Sequence, residues 1–106
     1  MSTYVLMTKL GPEVMKDPRG RKVVGQEWKQ RVASLCPEVS WLAHYALLGP
    51  YDFIDIYEAP SEEIAVKVSL ISRASGALIA ESWAALPYDS FLTLADAVEK
   101  EIHKSQ

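Results

Sequence analysis

The chain has 106 residues, 49% of them hydrophobic and 24% charged, with a net charge of -3. That is the size and composition of one globular domain, too short for two ordinary ones and too apolar for a disordered chain. The negative balance disfavours nucleic acid, whose binders present basic surfaces, and a single cysteine, Cys36, excludes an internal disulfide.

The opening residues, MSTYVLMTKLGPE, hold no basic stretch followed by a long apolar core, so no signal peptide is expected. No apolar run approaches the ~20 residues that cross a bilayer, so no membrane partner is expected. With Cys36 unpaired, the expected location is cytoplasmic.

In chain order, residues 3–10 read as a strand ended by Gly11-Pro12. Asp17-Pro18 predicts a helix start, aspartate as N-cap and proline at the first position. Val24, Trp28, Val32 and Leu35 then recur at helical spacing until Pro37. Residues 39–48 form a second strand and residues 51–59 a third. Gly49-Pro50 turns the chain between them, with positive φ expected at Gly49. Ser61 caps a helix that opens with Glu62 and Glu63, lines its inner face with Ile64, Val68 and Ile71, and ends at Gly76. Residues 77–86 are a fourth strand. Asp89 is expected to cap a last helix with Phe91, Leu94, Val98 and Ile102 on one side.

The order is βαββαβ plus a C-terminal helix: a ferredoxin-like α+β fold, with a four-stranded antiparallel sheet and residues 1–106 as a single domain. Right-handed crossovers put both crossover helices on one face. A short Gly49-Pro50 turn places Trp41, Ala43, Tyr45 and Leu47 on the face of Ile54 and Ile56. Those isoleucines are expected in the core against Val24, Trp28, Val32, Ile64 and Val68. The opposite face carries Leu42, His44, Ala46 and Leu48 with Tyr51, Phe53, Asp55 and Tyr57. Both faces are rich in apolar and aromatic groups, so something must cover the second one. A second subunit would do so, making a homodimer; the last helix folding over it is the alternative.

Leu48-Gly49-Pro50-Tyr51-Asp52, followed by an apolar strand and Glu58-Ala59-Pro60, resembles the GYD domain family, named for a Gly-Tyr-Asp signature between two strands. The opening TYVLMTKLGPE and the closing LPYDSFLTL are similar to that family's first strand and last segment. The resemblance implies a dimeric ferredoxin-like α+β barrel and no particular reaction. One departure is that Asp52, Asp55 and Glu58 make the third strand more acidic than apolar.

His44 and Asp55 are the first candidates for chemistry, either directly cross-strand or diagonal neighbours. A carboxylate beside an imidazole orients it and favours its charged form, as a general acid or base requires. The same pair also reads as a satisfied polar contact inside an interface. Thr8, Phe53 and Tyr57 complete the expected ligand-binding set with His44 and Asp55. His44, Asp52 and Asp55 are the only clustered metal-ligand types, and Asp52 is expected to point away, so no metal is assigned.

Cys36, at a helix C-terminus, reads as a small buried hydrophobe. Trp28, Trp41 and Trp83 read as core. Tyr51, Phe53 and Tyr57 could stack bases as RNA-recognition sheets do, but Asp55 lies among them and no cation interleaves. The cluster Lys16, Arg19, Arg21 and Lys22 reads as a solvated loop, or as an anion site. No Gly-rich phosphate loop, CxxC or nucleophile elbow occurs, so no cofactor is expected.

The expected function is a homodimeric small-molecule-binding or sensing domain with its cavity over the non-helical sheet face. The alternative is a cofactor-free dimeric-barrel enzyme, a small monooxygenase or isomerase, using His44 and Asp55. A third reading is a pure interaction module.

Overall fold

A computed structural model describes residues 1–104. Its order is β1 (Ser2–Leu10), α1 (Pro12–Met15), α2 (Arg21–Leu35), β2 (Ser40–Ala46), β3 (Phe53–Ala59), α3 (Glu62–Ala74), β4 (Ala77–Ala85) and α4 (Tyr88–Lys104). The strands pair antiparallel in the order β2-β3-β1-β4, the ferredoxin-like arrangement expected from the sequence.

Side chains alternate along each strand, so register decides which of them face α2 and α3. Tyr4 pairs with Tyr57, and Leu6 with Asp55. With Ala59 and Ala80 they lie buried against Val32 of α2 and Ala65, Val68 and Ile71 of α3. Tyr4 and Tyr57 stack at 5.5 Å in the middle of this core. The Tyr57 hydroxyl donates to Ser82 Oγ at 2.8 Å, and Ser69 of α3 reaches the same oxygen. A buried phenol with a partner keeps its area without an orphaned polar group.

Val32 and Val68 are fully buried as expected, with Trp28 and Ile64 packed against the core, but the sheet side of the expected core is overturned. Ile54 and Ile56 face away from the helices, each half-buried. Trp41, expected beside them, pairs with Tyr57 and faces α2. The reason is a register shift between Trp41 and Ala43, which leaves Leu42 as an extra residue and turns Trp41 over. Tyr51 precedes β3 and lies with the outer face, its hydroxyl donating to Glu81 and its ring edge-on to Trp83. Trp83, expected in the core, is 48% exposed there.

Four local expectations also shift. The stretch after Gly11 forms the short α1, and α2 begins at Arg21 behind Gly20, not at Asp17-Pro18. Asp17 instead binds the Arg19 backbone and guanidinium. Leu35 is exposed, and Cys36 takes the buried place at the end of α2. Gly49 does not have positive φ; among the described residues only Gly20 and Gly76 do. Asp89 lies inside the first turn of α4, which starts at Tyr88.

Ser61 caps α3 as expected, its side chain accepting from the Ile64 N–H. Gly76 ends α3 at φ +111, and a Cβ there would meet Val14 Cγ2 at 2.1 Å. Its carbonyl accepts from the Gly11 N–H at 2.9 Å, tying the end of β1 to the start of β4.

The outer face of the sheet carries two cross-strand rows: Ala43, Ile56, Val5 and Trp83, then Tyr45, Ile54, Met7 and Glu81. α4 does not fold over them. It runs on from β4 after Leu86-Pro87, with no residue buried. The molecule is therefore 64 Å long, with a radius of gyration of 17.2 Å, against about 13 Å for a compact domain of this size.

Candidate functional site

The Leu42 bulge builds the site. It brings Trp41 and His44 onto the helix-facing side of β2, where simple alternation would separate them. His44 stands directly opposite Asp55, the cross-strand arrangement the sequence allowed. The C-terminal half of α2 packs tightly through Val32 and Cys36. Its first half stands off the sheet, with Val24 and Trp28 only half-buried. A cavity of about 460 Å³ opens between them, lined on the sheet side by Thr8, Trp41, His44, Phe53 and Asp55.

The walls are largely aromatic. Trp28 and Trp41 meet at 5.2 Å with their planes tilted by 53°, and the His44 ring stacks on Phe53 at 5.4 Å. Trp28 is fixed by its Nε1–H, which donates to Ser72 Oγ at 2.9 Å, while that hydroxyl donates to the Val68 carbonyl.

Two polar side chains face into the space with capacity to spare. Thr8 is 8% exposed, and its hydroxyl has no hydrogen-bond partner among the described residues. Asp55 is 3% exposed; Oδ1 meets His44 Nδ1 at 2.5 Å, and Oδ2 has no partner. Burial pushes the Asp55 carboxyl above its ordinary range, against the opposing pull of His44 and, more weakly, Lys29. His44 itself lies at the mouth, its side chain 58% exposed. Arg21, Lys22 and Lys29 also line the opening from α2.

Thr8, His44, Phe53 and Asp55 are thus brought together, as the sequence grouped them, but on the helix-covered side. The expected cavity over the non-helical face is corrected by the register: Asp55 and Phe53 point toward α2. Tyr57 does not line the cavity. It is fully buried deeper in the core, its phenol pushed up to about 12 chiefly by that burial, and it offers no surface for base stacking. Asp52 is turned away, its Oδ2 accepting from the Leu10 N–H at 2.7 Å. Among the described residues no three His, Cys, Asp or Glu side chains converge as a metal site.

Sequence reasoning missed Trp28, Trp41 and Lys29 as lining residues. The helical spacing of Trp28 and Lys29 marks one side of α2, but no local signal announces the bulge that turns Trp41 inward. Half of the basic cluster, Arg21 and Lys22, does reach the cavity mouth, whereas Arg19 pairs with Asp17 and Glu27.

A family model described as the GYD domain matches residues 4–95. The chain belongs to the GYD domain family. The matched span holds β2, β3, β4, all of β1 but Ser2 and Thr3, and every cavity residue named above. This GYD domain is 30% identical over 91 residues to the "Glutamine synthetase and cystathionine beta-lyase binding protein" of Thermus thermophilus, covering 82% of this chain and 90% of that protein. It also superposes on the crystal structure of FFRP-DM1 with a TM-score of 0.51 at 17% identity, over 81% of this chain and all of the other. At that identity the likeness concerns the fold, and it supports the ferredoxin-like assignment. No described helix is long and apolar enough to cross a membrane.

Proposed function

We propose that this GYD domain is a homodimeric binding module that takes a small, flat, acidic molecule in the cavity beneath α2. The observation that carries the reading is the cavity itself: about 460 Å³, walled by aromatic rings, with two unspent polar groups inside and three cations at its mouth. That size and mixture suit a small ligand. Trp28, Trp41 and Phe53 favour a planar ring. Asp55 Oδ2 accepts a hydrogen bond from an inner O–H or N–H, and Thr8 Oγ1 adds a donor and acceptor beside it. Arg21, Lys22 and Lys29 favour an anionic group at the outer end.

Thermal shift and titration calorimetry with 4-hydroxybenzoate, benzoate and 4-hydroxybenzyl alcohol test this reading. The hydroxy acid is expected to bind best, and Thr8→Val or Asp55→Asn to weaken it by roughly tenfold or more. No change in melting temperature with any hydroxylated aromatic acid at millimolar concentration sinks the proposal.

The name of the Thermus relative favours a protein partner as well. We extend to this chain a regulatory role in which ligand occupancy beneath α2 changes how the module meets a partner enzyme in the cytoplasm. A second reading rests on the His44–Asp55 contact. A buried carboxylate that fixes Nδ1 orients the ring for proton transfer at its exposed end, as a cofactor-free monooxygenase or isomerase would need. Conversion of a bound ligand, lost in His44→Gln while binding persists, distinguishes it from a sensor.

A further inference from the structure

α4 and the outer sheet face are two apolar surfaces of one chain that do not meet. Tyr88, Phe91, Leu94, Val98 and Ile102 fall on one side of the helix, each between 52% and 70% exposed. A stripe of this kind is the mark of a helix that packs on something. On the sheet, Tyr45 and Trp83 are 62% and 48% exposed, with Ile54, Ile56 and Val5 half-buried between them. α1, α2 and α3 do not cover this face, because they lie on the other side.

We propose that α4 is an exchanged arm: in the dimer, each α4 lays its apolar stripe across the outer sheet face of the other copy. This rests on the homodimer proposed above and states what holds it together. A second copy is the occupant because it supplies both missing partners at once, a helix for the open sheet and a sheet for the open helix. A two-fold axis then satisfies four surfaces with no remainder. The dimensions agree. A helix of 17 residues is about 26 Å long, and four strands spaced about 4.8 Å apart span about 15 Å between the outer two. One arm therefore reaches across the whole face. The exposed parts of the five α4 side chains with Tyr45 and Trp83 come to on the order of 800 Å², the area each partner of a stable interface buries.

The test uses the full chain. Sedimentation at micromolar concentration is expected to give roughly twice the chain mass of 11.8 kDa. In a mixed sample of ¹³C-labelled and unlabelled protein, isotope-filtered NOEs are expected between methyls of Leu94, Val98 or Ile102 and those of Ile54, Ile56 or Met7. The double variant Leu94→Glu, Val98→Glu is expected to weaken dimerisation roughly 100-fold. It should keep the wild-type circular dichroism, because α4 contributes no buried residue to the body. A dimer without these NOEs, or a double variant that dimerises like the wild type, overturns the arm and leaves the dimer standing. A monomeric wild-type chain overturns both.

Discussion

The two faces of this sheet solve the same problem in opposite ways. Beneath α2 and α3 the face is chemically mixed, yet its core polar groups are matched: Tyr57 with Ser82, Ser72 with Trp28 and the Val68 carbonyl. The outer face is more apolar, with Glu81 and its partner Tyr51 among Ile54, Ile56, Val5, Met7 and Trp83, and no described helix lies on it. β3 shows the contrast within seven residues, with Asp55 and Tyr57 inside and Ile54 and Ile56 outside. Polarity alone therefore does not say which side of a strand is the interior. Paired polar groups go inside at little cost, and an aliphatic face left open marks an interaction surface.

Neighbouring residues of β1 test that contrast most severely. Leu6 has no exposed surface and sits at the centre of the helix-covered face, so Leu6→Ala is expected to cost about 3–5 kcal/mol. Val5 is next to it and faces outward. Within one chain Val5→Ala should cost under about 1 kcal/mol, while in the proposed dimer it should lower the association constant. Urea melts at two protein concentrations a hundredfold apart separate the effects. If Val5→Ala proves as costly as Leu6→Ala at the lower concentration, the outer face is covered within one chain and the contrast fails.

Trp28 marks where the inner face passes from packed core to cavity. Its ring is half-buried and its N–H is held by Ser72. Trp28→Ala is expected to cost about 2–3 kcal/mol, of which roughly 1 kcal/mol reflects the lost hydrogen bond. Trp28→Phe, measured in the same denaturant titration, isolates that part. A loss below about 0.5 kcal/mol for the alanine variant would mean that α2 floats free of the sheet along its first half.

Burial on the inner face also leaves a pH signature. Tyr57 ionises near 10 when exposed and only at about 12 in the fold, because burial outweighs the opposing bond to Ser82. A raised value means the folded state holds the proton more tightly. The corresponding stability is fully present below pH 10 and is lost as pH rises through about 12, up to about 2–3 kcal/mol. Tyr57→Phe should flatten this alkaline slope.

The fold was readable because its signals are local and agree with one another. Gly11-Pro12, Pro37, Gly49-Pro50 and Gly76 punctuate the chain, and Ser61 caps α3 where its pattern says a helix starts. The His44–Asp55 pair was readable because a short connection leaves few registers. Which face carries it was not. Straight alternation groups Trp41 with Ala43 and favours Ile54 and Ile56 as core; the Leu42 bulge undoes the first inference, and the Tyr57–Ser82–Ser69 network undoes the second. That network joins groups from different elements, Ser82 on β4 and Ser69 on α3, so it is not visible in the strand that holds Tyr57. The extension of α4 away from the body was equally hidden, since an amphipathic pattern gives a helix an apolar side and not its place in the fold.

The smallest effect bears on whether the cavity floor is a site or scaffolding. Asp55 is held above its ordinary range by burial, which His44 only partly offsets. Its stability contribution is therefore present below the ordinary carboxylate value of 3.8 and is lost as pH rises through its higher folded value. Asp55→Asn should remove that decline and slightly stabilise the ligand-free protein at pH values above the Asp55 titration. The coupling to His44 is limited because the imidazole is mostly in water, so a double-mutant cycle with His44→Gln should give about 0.5–1 kcal/mol. A coupling near zero would show that the 2.5 Å contact carries no energy and that the pair orients nothing. The ligand then decides between the two roles. If Asp55→Asn is more stable alone yet binds 4-hydroxybenzoate more weakly, the buried carboxylate is kept at a cost that only binding explains, which is the expected signature of a functional site rather than of packing.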